Sequence, residues 1–174
     1  MSYRHTKKVM GFTLIEIMVS VFIFFIVLEG LFLVMTIGRR SWYTADTGIA
    51  LQQELRKAMG QITTDLYHSG TNQVSLPANS SVYNSISFNV SQGITVAGAI
   101  NWSSSPITYN LTAGQIIRNE GGQVRVVANN ISVFDLWRQA ASSDIVRINM
   151  TAQKTTVSGQ IMNASLDSAV LLRN

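Results

Sequence analysis

The feature that most constrains this chain is an apolar run of 27 residues, from Phe12 to Gly38. It contains no lysine, arginine, aspartate or proline, and its only charged side chains are Glu16 and Glu29. A helix of this length is about 40 Å long, which exceeds the roughly 30 Å hydrocarbon core of a bilayer. The run therefore predicts a transmembrane helix over residues 12–38.

The charges around this run argue against a nucleic-acid-binding protein. The chain has 13 basic and nine acidic residues, and three of the basic ones (Arg4, Lys7 and Lys8) precede the run. Without the first eleven residues, ten basic groups face nine acidic ones, so the rest of the chain is nearly neutral. A basic surface that would attract phosphates is not expected.

A secretory signal peptide explains the run poorly. The apolar stretch is too long, and no small-x-small cleavage site precedes a polar mature start. An uncleaved signal anchor remains an alternative. Neither accounts for Glu16, because a carboxylate at the start of an apolar run costs several kcal/mol unless a partner neutralises it.

The residues around Glu16 form a specific motif. Residues 7–16 read KKVMGFTLIE, in which a basic leader is followed by Gly11, Phe12 and then Thr-Leu-Ile-Glu at the start of the apolar helix. This resembles the class III signal of type IV pilins and type II secretion pseudopilins. The resemblance implies that residues 1–11 are a leader, which prepilin peptidase removes between Gly11 and Phe12 before methylating the Phe12 amine.

The same resemblance gives the two glutamates of the apolar run different expectations. Glu16 is expected to face the N-terminal amine of a neighbouring subunit during assembly, since each charge neutralises the other in lipid. Glu29 lies about 220° further around the helix, so it faces nearly the opposite side. It is either a second contact to a subunit or assembly platform, or a carboxyl group that is neutral or reaches towards the interface.

The helix is predicted to continue beyond the membrane over residues 39–70. Apolar residues recur there every three or four positions, which is typical of an amphipathic helix that packs against another element. They are Leu51, Leu55, Ala58, Met59, Ile62 and Leu66. Gly70 and the following Thr-Asn are expected to end the helix before Pro77.

Residues 71–174 are predicted to form a small antiparallel β head, which gives an α+β fold with one long N-terminal helix. The apolar residues now alternate with a period of two, as on half-buried strands. The strand candidates are 82–90, 107–111, 123–127, 131–136 and 145–150. Residues 109–118 are expected to form a hairpin, while the structure of the last segment, 165–174, stays open.

The sequence contains few residues or motifs that would indicate an enzyme. There is no cysteine, and His5 and His68 are the only histidines. No nucleophile elbow, phosphate loop or paired-histidine metal motif is present. We therefore expect no catalytic residue, no cofactor and no metal site, and His68 is expected to be a solvated residue at the helix end.

Three functions remain open at this point. The first is a structural subunit, a minor pseudopilin of type II secretion or a minor pilin, with loose similarity to J-type minor pseudopilins. The second is a pilin-like adhesion or DNA-uptake subunit, and the third is a signal-anchored periplasmic enzyme. The resemblance implies a single-pass inner-membrane protein with a cytoplasmic N-terminus and an extracytoplasmic head. The implied partners are other pilins, prepilin peptidase, the inner-membrane assembly platform and lipid.

Overall fold

A computed structural model describes residues 11–77, 81–139, 142–157 and 159–172. Apart from Gly11, the predicted leader lies outside these residues. The chain divides into two compact units, with the boundary between Trp42 and Tyr43. One long helix is followed by antiparallel strands, so the predicted α+β class is confirmed.

The long helix, α1, spans Leu14–Tyr67 and contains 54 residues. It ends three residues before the predicted Gly70, because Ser69 and Gly70 already belong to the first strand. The predicted apolar stripe is confirmed, since all six of its residues between Leu51 and Leu66 are buried. On its polar side, Glu54 Oε2 accepts a hydrogen bond from the backbone N–H of Asn129 at 2.9 Å.

In the described part of the chain, nine strands follow the helix, and they form two sheets. The strands are β1 Ser69–Leu76, β2 Ser85–Ile94, β3 Ile100–Trp102, β4 Ile107–Thr112, β5 Gln115–Glu120, β6 Gln123–Ala128, β7 Ile131–Gln139, β8 Ser142–Thr155 and β9 Ile161–Leu171. The first sheet has the order β1-β2-β4-β5-β6, with β3 paired to β2, and the second has the order β7-β8-β9. The open C-terminal segment is thus largely a strand, β9.

Every predicted strand region contains a strand, and two strands were not predicted. The expected hairpin of residues 109–118 is confirmed as β4–β5, with a two-residue turn at Ala113 and Gly114. Both turn residues have positive φ, at 50° and 75°, as a tight hairpin turn requires. We did not predict β1 and β3, because Gly70, Thr71 and Asn72 in β1 are typical turn residues and β3 has only three residues.

The core lies between the helix stripe and the inner faces of both sheets. Alternate strand residues face it, as the period of two predicts. They include Ile86, Phe88, Ile107, Tyr109, Ile116, Phe134, Leu136, Val146, Ile148 and Met150. Burying each large apolar side chain contributes about 1.5–3 kcal/mol, so the helix stripe and the strands stabilise each other.

Two polar contacts connect the second sheet to the first part of the head. Tyr83 and Leu136 exchange two backbone hydrogen bonds of 2.8 Å. Arg138 on β7 donates from Nη2 to the carbonyl oxygens of Thr71 at 2.9 Å and Val74 at 3.1 Å. Burial lowers the pKa of Arg138, and Asp144 partly opposes that shift.

Candidate functional site

The motif residues lie at the point where α1 begins. Thr13 is the N-cap residue, and its carbonyl oxygen accepts hydrogen bonds from the N–H groups of Glu16 at 3.1 Å and Ile17 at 3.2 Å. Its hydroxyl oxygen lies 3.4 Å from the Glu16 nitrogen, which donates to it. A threonine followed three residues later by glutamate is the sequence of a capping box. The sequence already indicated a helix start at this motif, but the capping role of Thr13 was not recognised from it.

Gly11 and Phe12 precede the helix and form no regular secondary structure. Phe12 is 77% exposed, so the peptide bond between them is open to a protease. A Cβ atom built on Gly11 would meet no heavy atom within 4 Å. The chain itself therefore does not need glycine here for packing, and any requirement for it comes from the processing enzyme.

Glu16 lies in the first turn of α1 and is exposed. Its position favours a carboxylate, because the N-terminus of a helix carries partial positive charge. Its backbone carbonyl accepts a hydrogen bond from Ser20 Oγ at 2.8 Å, and its side chain forms no ion pair with any described residue. The side chain is therefore available to a cation outside the described part of the chain.

Glu29 lines a shallow groove on the surface of α1, about 20 Å along the helix from Glu16. Gly30 and Thr36 border the groove, and Thr36 Oγ1 donates to the carbonyl of Phe32 at 2.9 Å instead of extending outward. The other lining residues are Ile26, Phe32 and Leu33. The structure thus places Glu16 and Glu29 in separate positions and does not bring them together.

No residue in the apolar segment of α1 is buried in the isolated chain. Within α1, an 18-residue stretch reaches a mean hydropathy of 2.8 with none of its residues buried. By length and composition this helix is a candidate membrane anchor, and it lies near the N-terminus. Exposed side chains of this kind need lipid or other apolar helices around them.

A second polar cluster, which sequence analysis missed, ties the end of α1 to the β4–β5 hairpin. Asp65 Oδ2 accepts hydrogen bonds from Tyr109 Oη at 2.6 Å and from Arg118 Nε at 2.8 Å. Arg118 also donates from Nη1 to Glu120 at 2.6 Å. Asp65 is separated from its partners by 44 and 53 residues, so no local pattern in the sequence signals the contact.

The pKa shifts in this cluster preserve its hydrogen bonds, which indicates a structural role. Burial raises the pKa of the Tyr109 hydroxyl, and its hydrogen bond to the Asp65 carboxylate raises it further. Burial alone would lower the pKa of Arg118, but its bonds to Asp65 and Glu120 outweigh that effect and raise it. Tyr109 therefore stays protonated as a donor and Arg118 stays charged.

Two further side chains, His68 and Trp137, lie apart from both clusters. His68 follows the last helical residue and is exposed, with its N–H bonded to the Asp65 carbonyl at 3.2 Å. Trp137 is half-buried on the outer face of the second sheet, next to Arg147 and Asp167. Within the described residues, no three histidine, cysteine, aspartate or glutamate side chains form a group that would hold a metal ion.

Comparison with known proteins identifies the N-terminal motif. Residues 7–28 match the family model of the prokaryotic N-terminal methylation motif. No curated protein and no solved structure matches the chain. The chain therefore carries the prepilin-type signal of type IV pilins and pseudopilins, ahead of a pilin-like α+β architecture.

Proposed function

We propose that this chain is a minor structural subunit, either a minor pseudopilin of a type II secretion system or a minor pilin of a type IV pilus. The observation that carries the proposal is that the prepilin-type signal leads directly into α1, whose later residues form the core of the head. A removable leader followed by an apolar helix and a helix-supported head suits a subunit that leaves the bilayer for a fibre.

Removal of residues 1–11 would leave Phe12 as a methylated N-terminal residue. In the proposed assembly, the amine of a neighbouring subunit pairs with Glu16. The exposed carboxylate of Glu16, which has no ion-pair partner among the described residues, supports this role. In an apolar helix bundle each group would be costly to bury alone, so the pair aligns one subunit with the next.

Glu29 is proposed as a second contact to another subunit or to the assembly platform. The groove at Gly30 and Thr36 supports this role, because small residues allow helices to approach closely in an apolar environment. Before assembly, the helix is held in the inner membrane with a cytoplasmic N-terminus and an extracytoplasmic head.

The proposed role of the head is recognition rather than catalysis. A minor subunit of J type or a related type, acting in a tip or initiation complex, needs side surfaces that fit other heads. The outer face of the second sheet offers Trp137 beside Arg147, two residue types that often dominate the energetics of protein interfaces. We propose no enzymatic activity and no cofactor for this head.

The experiment is affinity purification of the full chain after co-expression with the pilin-like proteins encoded beside it. The proposal expects a processed chain that is recovered with those proteins and is present in fewer copies than the main fibre subunit. Deleting the gene should lower fibre assembly or secretion. A chain that purifies alone and turns over a substrate would instead support a signal-anchored enzyme, and specific DNA retention would support an uptake subunit.

A further inference from the structure

The outer edge of β9 differs from every other sheet edge in the described part of the chain. β9 is eleven residues long and pairs with β8 through eleven consecutive partners, from Leu171 opposite Ile145 to Ile161 opposite Thr155, without a register shift. It is the last strand of its sheet, and no described strand pairs along its other side. An edge of this kind presents a row of backbone N–H and C=O groups that another strand can bond.

The other edges carry features that discourage strand addition. β1 pairs with two register shifts, and β7 also has two and is bridged at Leu136 by Tyr83. β6 is only six residues long, contains Arg125 and has a shift next to Ile116, and β3 has only three residues. Short length, bulges and basic residues are the usual protections of a sheet edge. β9 has none of them: it contains no lysine, arginine, proline or glycine, and Asp167 is its only charged residue.

A groove runs beside this edge, between α1 and β9. It has a volume of about 290 Å³ and is lined by Gln52, Leu55 and Arg56 of the helix and by residues 163–166 of the strand. The helix lies close to the inner face of β9, because a Cβ atom on Gly48 would be 3.6 Å from Met162 Cε. A strand added to β9 would direct alternate side chains towards this groove.

The groove also has a charge preference. Arg56 is exposed and forms no ion pair with any described residue, and no acidic side chain lines the groove. Its other polar lining residues, Gln52, Asn163 and Ser165, are uncharged. An incoming strand with a carboxylate at the position facing Arg56 would therefore be favoured over a neutral or basic one.

We propose that the β9 edge is a docking site for an extended segment of another polypeptide, which adds to the sheet as a further strand and places an acidic side chain against Arg56. Backbone hydrogen bonds would supply affinity, and the groove would select side chains, as in other cases of strand addition. This inference does not depend on the proposed assembly into a fibre, and it can be tested on the purified chain alone.

The test uses a labelled peptide with the sequence of residues 145–155, in which glutamate replaces Ala152. This sequence already pairs with β9 in β8, where Ala152 is opposite Ala164, one of the groove residues. Binding to the full chain in lipid nanodiscs is followed by fluorescence anisotropy. The same peptide with lysine at that position is the matched control and is expected to bind more weakly.

Two N-methylated versions of the peptide separate strand addition from other binding modes. In β8, alternate residues direct their N–H groups towards β7 and towards β9. A peptide added to the outer edge of β9 in the same register must bond through the first set, the N–H groups that point towards β7 in β8. Methylating that set should weaken binding about 100-fold or more, since several backbone hydrogen bonds are lost. Methylating the second set should change binding little.

Two protein variants test the charge. Arg56→Gln should weaken binding of the glutamate peptide about two- to fivefold, as for an exposed ion pair. Lys57→Gln removes an adjacent cation outside the groove and should leave binding unchanged. The proposal would be overturned if both methylated peptides lost affinity equally, or if methylation of the second set weakened binding more than methylation of the first. It would also be overturned if the unmethylated glutamate peptide did not bind at about 1 mM.

Discussion

Thr13 and Glu16 are three residues apart, and with this spacing one short motif determines both where the helix begins and where a carboxylate lies. The hydroxyl and carbonyl of Thr13 accept bonds from the first turn of α1, which fixes where the helix begins. Glu16 places a carboxylate in that same turn, at the end of the helix that attracts negative charge. The helix start and the charge that we propose for assembly are therefore set by the same four residues.

Glu16 can be tested with two substitutions that separate charge from helix capping. Glu16→Leu should insert into membranes as well as the wild type, because leucine favours the apolar phase. Glu16→Gln keeps a side chain that suits a capping box but removes the charge. Both should assemble poorly, because loss of one partner of a buried charge pair costs about 3–5 kcal/mol. Quantifying the variant in sheared fibres or crosslinked complexes measures this, and normal incorporation of either variant would exclude the pairing role.

Because of Tyr109, the free energy of unfolding of the head should decrease as pH rises through the alkaline range. Its hydroxyl has an ordinary pKa of 10.0, and burial followed by the bond to Asp65 raises the pKa in the folded state. Above pH 10 the unfolded chain releases this proton while the folded chain holds it, so the stabilisation present below pH 10 is lost as pH rises. The loss should approach about 1.4 kcal/mol per pH unit.

Tyr109→Phe provides the control for this effect. It removes one hydrogen bond at neutral pH, at a cost of about 1–2 kcal/mol, and leaves Asp65 paired with Arg118. Its free energy of unfolding should then fall less steeply than that of the wild type above pH 10. Urea unfolding of both proteins at neutral and alkaline pH makes the comparison, and parallel pH profiles would show that Tyr109 does not cause the effect.

At the scale of elements, the helix was the part that the sequence predicted best. A stripe such as Leu51, Leu55 and Ile62 follows from the helical period alone, which is why its burial could be read in advance. The Asp65 cluster could not be predicted from the sequence, because it depends on which strand crosses the end of the helix. β1 was missed because its glycine, threonine and asparagine are turn residues by propensity, and pairing with β2 overrides that preference.

Substitutions on opposite faces of α1 test this packing. Leu55→Asp or Ile62→Asp would bury a charge without a partner among apolar side chains and should unfold the head, at a cost above about 4 kcal/mol. Lys57→Asp, on the exposed face, is the matched control and should stay folded. Circular dichroism and limited proteolysis distinguish the outcomes, and a folded Ile62→Asp protein would contradict the assigned core.

At the scale of the whole molecule, processing should change the mass in a defined way. Cleavage after Gly11 and methylation of Phe12 leave the 163 residues from Phe12 to Asn174 plus one methyl group. Intact mass spectrometry of the membrane-extracted chain checks this. An N-terminus at any residue other than Phe12 would contradict the pilin interpretation.

Two substitutions of Gly11 test whether the peptidase requires a small residue at the cleavage junction. Gly11→Ala should be processed at least in part, since the chain has space for the added methyl group. Gly11→Trp should remain uncleaved while its helix forms normally, because the restriction comes from the peptidase. Equal cleavage of both variants would show that residue 11 does not control processing.

The unit that begins at Tyr43 should fold without the apolar segment. Among the described residues, every member of the buried core lies between Leu51 and Leu172, and therefore within this unit. Expressed alone, residues 43–174 should be soluble and unfold cooperatively on heating. Aggregation of this fragment under conditions that keep the full chain folded in nanodiscs would show that the core needs residues from the other unit.

The order of the strands has a consequence for how the chain matures after synthesis. β4, β5 and β6 pair in sequence, as do β7, β8 and β9, so most strand contacts form between near neighbours along the chain. Such local contacts form quickly, whereas the bond from Asp65 to Arg118 must close a loop of 53 residues. The hairpins should therefore form first and the helix should dock last. Until it docks, the apolar inner faces of the sheets are open to water, and this interval is when a newly made chain is most exposed to aggregation and proteolysis.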